Sequence, residues 1–448
     1  MANSGFFASL IRVAVFSVVA MVWVERAGAV AVVSPPRQTA VVGADKLLSK
    51  PANKLSPAEQ AAASGFKALL ENDLLTAGSM FEDALRRKPD FTVAMLGLAD
   101  VRVRQRNTTQ AEAYIRKALS TEPANPDVRT AAGRLYMAMQ KYPQAKAAYL
   151  QAIELDPQAV LARLDLADLY ASVEKNPKAA IAEYRKAIEI KPDLASARMG
   201  LGMTLLATGD TRGAITELQE AVKRAPEDAA AWHLLGRVYA SDKRYPEAVK
   251  ALSQSLALQP DTLAVVLDRG DVYNEMGEDA KAASDYALAS RLNPRDPVSR
   301  VKLGMVMQRL GDTARAEAAY RDALRLKPDL AIACNNLAMI SLRKGGNLDD
   351  ALALAKRAVA ASPNVPQFHD TQGWVHRARG ERTLAVAALQ QAVQLPPPQA
   401  EIWYHLGIVL EESGRKQDAV AAYRKALGID ARFAEAADAT TRITKLTD

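Results

Sequence analysis

The sequence predicts an all-α solenoid, in which one helix-turn-helix unit is stacked on copies of itself. Three observations support this fold. Prolines recur at intervals of 34 or 35 residues, Gly or Ala recurs at the eighth residue of each unit, and Ala recurs at the twentieth. Repeats of this length each bury a face against the next copy, so we expect function on the surface that the array creates. The ten prolines are Pro89, Pro123, Pro157, Pro192, Pro226, Pro260, Pro294, Pro328, Pro363 and Pro397.

Residues 1–31 have the organisation of a signal peptide or a membrane anchor. A sparsely charged start ends at Arg12 and precedes the apolar run Val13–Val24. The small residues Ala27–Ala31 then offer A-x-A cleavage sites. Because a bilayer span needs about 20 apolar residues, a cleaved signal is the preferred interpretation of this 12-residue run. An uncleaved anchor, with membrane association through residues 6–24, is the alternative.

The charge distribution argues against nucleic acid as a partner. The formal net charge is +7, but residues 1–57 carry six basic and two acidic side chains. The remainder is therefore about +3 with both signs interspersed, whereas nucleic-acid binders concentrate basic residues on one face. The single cysteine, Cys334, permits no internal disulfide, so it says little about the cellular compartment.

Residues 229–262 show how one unit is built. Trp232 and Tyr239 lie on one face of a first helix, because they are two helical turns apart. A second apolar series begins at Ala248, and Pro260 ends that helix before the next unit starts. The eighth residue is expected where the two helices cross, since only a tiny side chain lets two backbones approach there. The glycines at this position are Gly65, Gly133, Gly202, Gly236, Gly270, Gly304, Gly373 and Gly407.

These units resemble the tetratricopeptide repeat (TPR). That 34-residue repeat has Gly or Ala eighth, Ala twentieth, an aromatic or aliphatic residue twenty-fourth and Pro thirty-second. Eleven such repeats cover residues 58–433, and the last carries Ala431 in place of the proline. The twenty-fourth residue is aromatic in six repeats, as Phe81, Tyr149, Tyr184, Tyr286, Tyr320 and Tyr423.

Two segments flank the repeats. Residues 32–57 contain four prolines and are predicted to form a flexible tether. Residues 434–448 are predicted to form the polar capping helix that a solenoid needs at its open end.

The resemblance implies a right-handed α-α superhelix whose first helices line a concave groove. In that register, the second, fifth, ninth, twelfth and thirteenth residues of each repeat are the groove positions. A protein or peptide segment is the expected occupant, and no cofactor or metal is implied. The candidate partner-binding residues are Met199, Met203, Asp271, Met305, Arg309, Asn335, Met339, Arg343, Asp370, Trp374 and Arg377.

Methionines and arginines at groove positions each have two interpretations. The four methionines suit an apolar or irregular partner, or they fill gaps beneath neighbouring helices. Arg309, Arg343 and Arg377 recur in three successive repeats. They form either a basic ladder that meets carboxylates or a row of solvated charges.

The C-terminal repeats have a more individual sequence. Asn335–Ala338 (NNLA) followed by Asp370–Trp374 (DTQGW) is similar to repeats of bacterial envelope TPR proteins, including those associated with exopolysaccharide and exosortase systems. Trp374 and Asp370 are one turn apart and could together anchor a partner. The alternative is that Trp374 packs into the adjacent repeat while Asp370 caps a helix start.

No catalytic constellation is present in the sequence. HExxH, CxxC, Walker and GxSxG motifs are absent. His369 and His376 would lie two helical turns apart, too far for one metal without other ligands. The sequence therefore predicts a protein that is not an enzyme.

The predicted function is a protein–protein interaction scaffold or adaptor, exported to the bacterial periplasm or a periplasm-facing part of the envelope. It would bind a partner segment in the concave groove. One alternative is a component of exopolysaccharide export or outer-membrane assembly. Another is a regulatory subunit of a separate enzyme. The oligomeric state is left open.

Overall fold

A computed structural model describes residues 47–448. Over this range the chain forms 23 α-helices, numbered α1 to α23 below, one 3-10 helix at Ala52–Lys54, and no β-strand. The prediction of an all-α helical-repeat fold is confirmed. The predicted signal or anchor and the first part of the predicted tether lie outside the described residues. Within residues 47–448, no helix combines the length and the apolar character required to cross a membrane.

The chain divides into two compact units, one ending at Arg244 and the other beginning at Tyr245. In the N-terminal unit, the first helices of the repeats are α1 (Pro57–Leu70), α3 (Thr92–Arg104), α5 (Pro126–Ala138), α7 (Val160–Ser172), α9 (Ala195–Ala207) and α11 (Ala229–Ser241). The second helices of this unit are α2 (Leu74–Arg87), α4 (Thr108–Thr121), α6 (Tyr142–Leu155), α8 (Pro177–Ile190) and α10 (Thr211–Arg224).

The C-terminal unit continues the same alternation. Its first helices are α13 (Leu263–Glu275), α15 (Pro297–Arg309), α17 (Ala331–Arg343), α19 (Pro366–Ala378) and α21 (Ala400–Glu412). Its second helices are α12 (Tyr245–Leu258), α14 (Asp279–Leu292), α16 (Thr313–Leu326), α18 (Leu348–Ala361), α20 (Arg382–Gln394) and α22 (Lys416–Ile429). A final helix, α23, spans Ala436–Thr447, inside the range predicted for the cap.

Local chemistry explains where these helices begin and turn. Proline is the first residue of α5, α15 and α19, where its missing N–H costs nothing. Asp228 and Asp296 cap α11 and α15 by accepting bonds from backbone N–H groups of the first turn. The turn to the second helix passes through a left-handed residue, which is glycine in repeats such as repeat eight, where Gly311 has a φ of +79°.

Alanine at the twentieth position packs as the repeat pattern predicts. In every repeat its side chain has a relative exposure of 0%. A larger side chain would have no space there, because the position lies where a second helix meets its neighbours. These alanines are Ala77, Ala111, Ala145, Ala180, Ala214, Ala248, Ala282, Ala316, Ala351, Ala385 and Ala419.

In five repeats the eighth-position glycine is small for a different reason from the one expected, because it faces an aromatic ring; these glycines are Gly65, Gly133, Gly270, Gly304 and Gly407. A Cβ added to Gly304 would lie 2.6 Å from Cε1 of Tyr320, the aromatic ring at position twenty-four of the same repeat. A Cβ added to Gly65 would likewise lie 2.8 Å from Cε1 of Phe81. In these repeats the ring, rather than the backbone of the second helix, fills the space that the glycine leaves.

Several repeat boundaries carry a side-chain bond that the repeat pattern alone does not predict. At these boundaries the fourth residue of a repeat donates to the carbonyl of the proline six residues earlier. Trp232 Nε1 donates to the Pro226 carbonyl over 2.9 Å, and His369 Nε2 lies 2.8 Å from the Pro363 carbonyl. Arginines do the same at three earlier boundaries, as Arg129, Arg163 and Arg198. These bonds fasten the start of one repeat to the end of the previous one.

The two ends of the described chain are also packed. Leu47 and Leu55, within the last part of the predicted tether, are buried in the same hydrophobic cluster as Phe66. At the other end, Ala439 of α23 is buried in a cluster with Phe433. Both ends of the described chain therefore contribute to a core.

Candidate functional site

The first helices form the inner layer of each unit. Successive first helices contact one another, as α3 does with α5 in the N-terminal unit and α19 does with α21 in the C-terminal unit. Neighbouring repeats are therefore most closely spaced on this side, which makes it the concave side within each unit. The groove positions lie on these helices.

The groove methionines of the N-terminal unit are largely buried. Met199 and Met203, one turn apart on α9, have exposures of 7% and 6%. Leu161, at the second position of repeat four, is 40% exposed. Asp168 in the same repeat accepts a hydrogen bond from the hydroxyl of Tyr184. Of these side chains, Leu161 is therefore accessible from solvent, whereas the two methionines are not.

Asp271 is fixed by two bonds in the C-terminal unit. Its Oδ1 accepts from the Tyr286 hydroxyl over 2.7 Å, and its Oδ2 lies 2.7 Å from Lys302 Nζ in the next repeat. Burial, and then the negative charge of Asp271, raises the pKa of Tyr286 well above its ordinary value. The tyrosine stays a neutral donor at physiological pH, so Asp271 is held in one orientation.

Arg309 at the thirteenth position of its repeat and Arg377 at the twelfth make ion pairs within the chain. Arg309 Nε lies 3.0 Å from Asp279 Oδ1, and Arg377 Nε lies 2.8 Å from Glu412 Oε2. Burial lowers the pKa of Arg343. The sequence pattern left open a basic ladder or a row of solvated charges. It did not indicate the acidic partners of Arg309 and Arg377, because these lie 30 and 35 residues away in the chain.

Asn335 and Met339 occupy the middle of the C-terminal inner layer. Both are buried, with exposures of 3% and 6%, as is Met305 in the preceding repeat at 7%. Asn335 Nδ2 lies 3.4 Å from Oδ1 of Asn336, and Asn336 Nδ2 donates to the Tyr320 hydroxyl over 2.9 Å. Polar and apolar groove positions therefore alternate in a packed layer.

Trp374 and Asp370 both interact with the next repeat. The Trp374 ring is 5% exposed and meets the His405 ring edge-on, with centroids 5.0 Å apart. The Arg377 guanidinium lies 4.6 Å from the centroid of the Trp374 ring. The sequence allowed Trp374 either to anchor a partner or to pack into the adjacent repeat, and the structure places it in the second arrangement. Asp370 is not a helix cap, because Val365 precedes α19 and the Asp370 carboxylate is bonded to His405.

The described residues show no group of three or more His, Cys, Asp or Glu side chains that could hold a metal ion. The Cys334 thiol is buried, and burial raises its pKa.

Family models match most of the repeat region. Residues 61–329 match the family described as Cilia and flagella-associated protein 70 C-terminal domain. Residues 301–366 and 371–439 match the family described as Tetratricopeptide repeat.

One curated relative is Cellulose synthase operon protein C of Xanthomonas axonopodis pv. citri (strain 306). It is 32% identical over 148 residues, which is 31% of this chain and 10% of that protein. This chain therefore spans a small part of the relative that it matches.

Solved structures with a similar fold include the APC/C hetero-tetramer Cut9–Hcn1, with 15% identity and a TM-score of 0.44 over 88% of this chain and 97% of that chain. Pseudomonas aeruginosa PilF is 24% identical, with a TM-score of 0.42 over 49% of this chain and 98% of that chain. On the evidence of its repeats and of the matching family models, the chain belongs to the tetratricopeptide-repeat proteins and, through residues 61–329, to the family of the Cilia and flagella-associated protein 70 C-terminal domain.

Proposed function

We propose that this chain is a non-enzymatic scaffold that binds a segment of a partner protein along the inner layer of first helices. The observation that carries the proposal is the construction of that layer in the C-terminal unit. Groove side chains such as Asp271 and Asp370 are held by bonds to neighbouring repeats. Met305 and Met339 belong to the two repeats between them, and Trp374 follows Asp370 by one helical turn. A surface that is already ordered loses little conformational entropy when a partner binds.

The partner-binding residues that we propose remain those of the groove, with their roles refined by the geometry. Asp271, Asp370, Arg309 and Arg377 hold the repeats in register and shape the surface. The buried side chains of the groove give it an apolar floor that a partner reaches past exposed residues. These floor residues are Met199 and Met203 in the N-terminal unit and Met305, Met339 and Trp374 in the C-terminal unit, whereas Asn335 and the half-buried Arg343 are polar members of the candidate set.

Site-specific photo-crosslinking in the native cell tests this proposal. The probe is placed at Val298, a groove position of repeat eight that is 41% exposed, and a control probe is placed at Arg424 on the second helix α22, also exposed. We expect one dominant protein to be captured from Val298 and not from Arg424. Equal capture from both positions, or none from Val298, would contradict binding on the inner layer.

We also propose that the chain works in the bacterial periplasm or in a periplasm-facing part of the envelope. Support comes from the apolar run Val13–Val24 and the small residues Ala27–Ala31. Mass measurement of the chain from fractionated cells tests this. We expect a periplasmic or envelope-associated chain that has lost its first 29 or 31 residues. An intracellular chain of unchanged mass would contradict export.

A narrower candidate is a role in exopolysaccharide export or outer-membrane assembly. Two observations favour it, namely the sequence Asn335–Ala338 followed by Asp370–Trp374, and the similarity to Cellulose synthase operon protein C. Deletion of the gene should then change the amount of surface polysaccharide or the composition of the outer membrane. An unchanged envelope would count against this role and leave the scaffold proposal standing.

A further inference from the structure

Asn335 in α17 carries a buried acceptor that the fold does not use. The residue is 3% exposed, and its Oδ1 has no hydrogen-bond partner among the described residues. Buried side-chain oxygens nearly always accept at least one bond, because an unmet acceptor retains the full cost of losing its water. Such an atom at a groove position needs a physical explanation.

The surrounding bonds fix which end of the Asn335 amide is left over. Tyr320 donates its hydroxyl hydrogen to Gln308 Oε1 over 2.6 Å and accepts from Asn336 Nδ2 over 2.9 Å. Asn336 Oδ1 therefore faces Asn335 and accepts from its Nδ2 over 3.4 Å. Each amide has one donating end and one accepting end, so this directed chain of bonds ends at Oδ1 of Asn335. Donation through Nδ2 also polarises the amide, which makes that oxygen a better acceptor.

The neighbourhood of Asn335 defines what can reach this oxygen. Met339 lies four residues later on the same helix and therefore on the same face. Met305 occupies the ninth position of the preceding repeat, as Met339 does in its own, and both are buried. Methionine side chains are unbranched and adaptable, so they can move aside and then close around an apolar group.

We propose that Asn335 Oδ1 accepts a hydrogen bond from a backbone N–H group of an extended partner segment whose flanking side chains are apolar. Met305 and Met339 pack against those side chains. This inference rests on the proposed function and specifies the chemistry of the partner. The recognition element is an amide donor between apolar groups, not a charged side chain or a carboxylate terminus.

The first test compares the thermal unfolding of two variants, Asn335→Leu and Asn336→Leu, in the absence of any partner. Leucine has nearly the shape of asparagine. Replacing Asn335 removes an unmet acceptor together with the long 3.4 Å bond from its Nδ2 to Asn336 Oδ1, so the midpoint of thermal unfolding should change little. Replacing Asn336 breaks its bond to Tyr320, so the midpoint should fall. If Asn335→Leu lowers the midpoint as Asn336→Leu does, Asn335 is an ordinary structural residue and the proposal is overturned.

The second test uses two small amides as probes. N-methylacetamide offers an N–H donor, and N,N-dimethylacetamide offers none. Each is titrated into the full chain while the methyl NMR signals of Met305 and Met339 are followed. We expect N-methylacetamide to bind about fivefold more tightly, the typical worth of one hydrogen bond. Asn335→Leu should abolish this preference. Equal binding of the two amides to the wild-type chain would overturn the proposal.

The two proposals can fail separately. If the photo-probe at Val298 captures a partner and Asn335→Leu leaves that capture unchanged, the groove binds its partner without the amide bond, and only this inference fails. If Asn335→Leu weakens the capture from Val298, both are supported. If Val298 captures nothing while the amide preference holds, the acceptor site at Asn335 Oδ1 is correct and the scaffold proposal is not.

Discussion

The Asp370 carboxylate lies 2.8 Å from His405 Nδ1, although 35 residues separate the two in the sequence. Both side chains are almost fully buried, and the bond joins the first helices of repeats ten and eleven. The edge-on contact between His405 and Trp374 lies next to it. One carboxylate thus holds an imidazole and, through it, an indole ring in place.

Loss of this bond should destabilise the chain. Asp370→Ala leaves His405 buried without the carboxylate, so we expect the free energy of unfolding to fall by about 2 kcal/mol. Asp322→Ala is the control, because Asp322 pairs with Arg325 at an exposed site and such pairs contribute about 0–1 kcal/mol. Urea unfolding measures both. Equal effects of the two substitutions would show that the Asp370–His405 bond contributes nothing.

Two Gly→Ala substitutions should have opposite signs. The added Cβ of Gly304→Ala would lie 2.6 Å from the Tyr320 ring, so we expect destabilisation by about 1–3 kcal/mol. The Cβ of Gly428→Ala in α22 would meet no atom within 4 Å, and loss of helical glycine should stabilise by about 0.5–1 kcal/mol. Thermal unfolding of the two variants checks this. Destabilisation by both would mean that helix propensity does not govern Gly428.

The bonds at the repeat boundaries can be tested by comparing two tryptophans. Trp232 and Trp403 are each the fourth residue of their repeats, and both are half-buried. Trp232 donates to a proline carbonyl, whereas the described residues show no such bond from Trp403. Trp232→Phe should therefore cost about 1 kcal/mol more than Trp403→Phe, since each loses similar apolar area. Denaturant unfolding provides the comparison. Identical losses would show that the bond to Pro226 is without effect.

The cap helix should dock less tightly in acid. Burial favours a neutral Asp438, but bonds from Tyr404 and Arg442 outweigh it and hold its pKa below the ordinary 3.8. The stabilisation is therefore complete above about pH 4 and is lost as the pH falls through the lowered pKa. Asp438→Asn should lower the unfolding midpoint at pH 6, and its difference from the wild type should shrink at pH 3. A difference that does not change with pH would contradict this assignment.

The periodicity of the sequence was enough to predict the fold. The proline spacing set the register, and the alanines at position twenty proved fully buried. The small residues at position eight were located correctly, but the expected reason was incomplete, since Gly304 faces the Tyr320 ring whereas Gly373 also approaches the Ala385 carbonyl. That ring is itself part of the pattern, at position twenty-four of the same repeat. Comparison of position eight with position twenty-four of the same repeat would have indicated the contact between glycine and ring.

The groove was harder to predict than the fold. Asp370–His405 and Arg377–Glu412 each join residues 35 apart, so their partners become neighbours only when repeats stack. The bonds from position four did have a signal in the sequence. A side-chain donor recurs there six residues after a proline, at Arg129, Arg163 and Arg198. The orphaned oxygen of Asn335 had no such signal, since it depends on where the neighbouring amides point.

The boundary bonds also bear on how long this solenoid can be. Each bond reaches back six residues, from the fourth residue of one repeat to the proline that ends the one before. Removing or inserting one whole repeat therefore restores the same donor–carbonyl spacing at the new junction. Trp232 would find Pro192 where it now finds Pro226. The number of whole repeats can therefore change in steps of one while a junction of this kind keeps both its donor and its carbonyl.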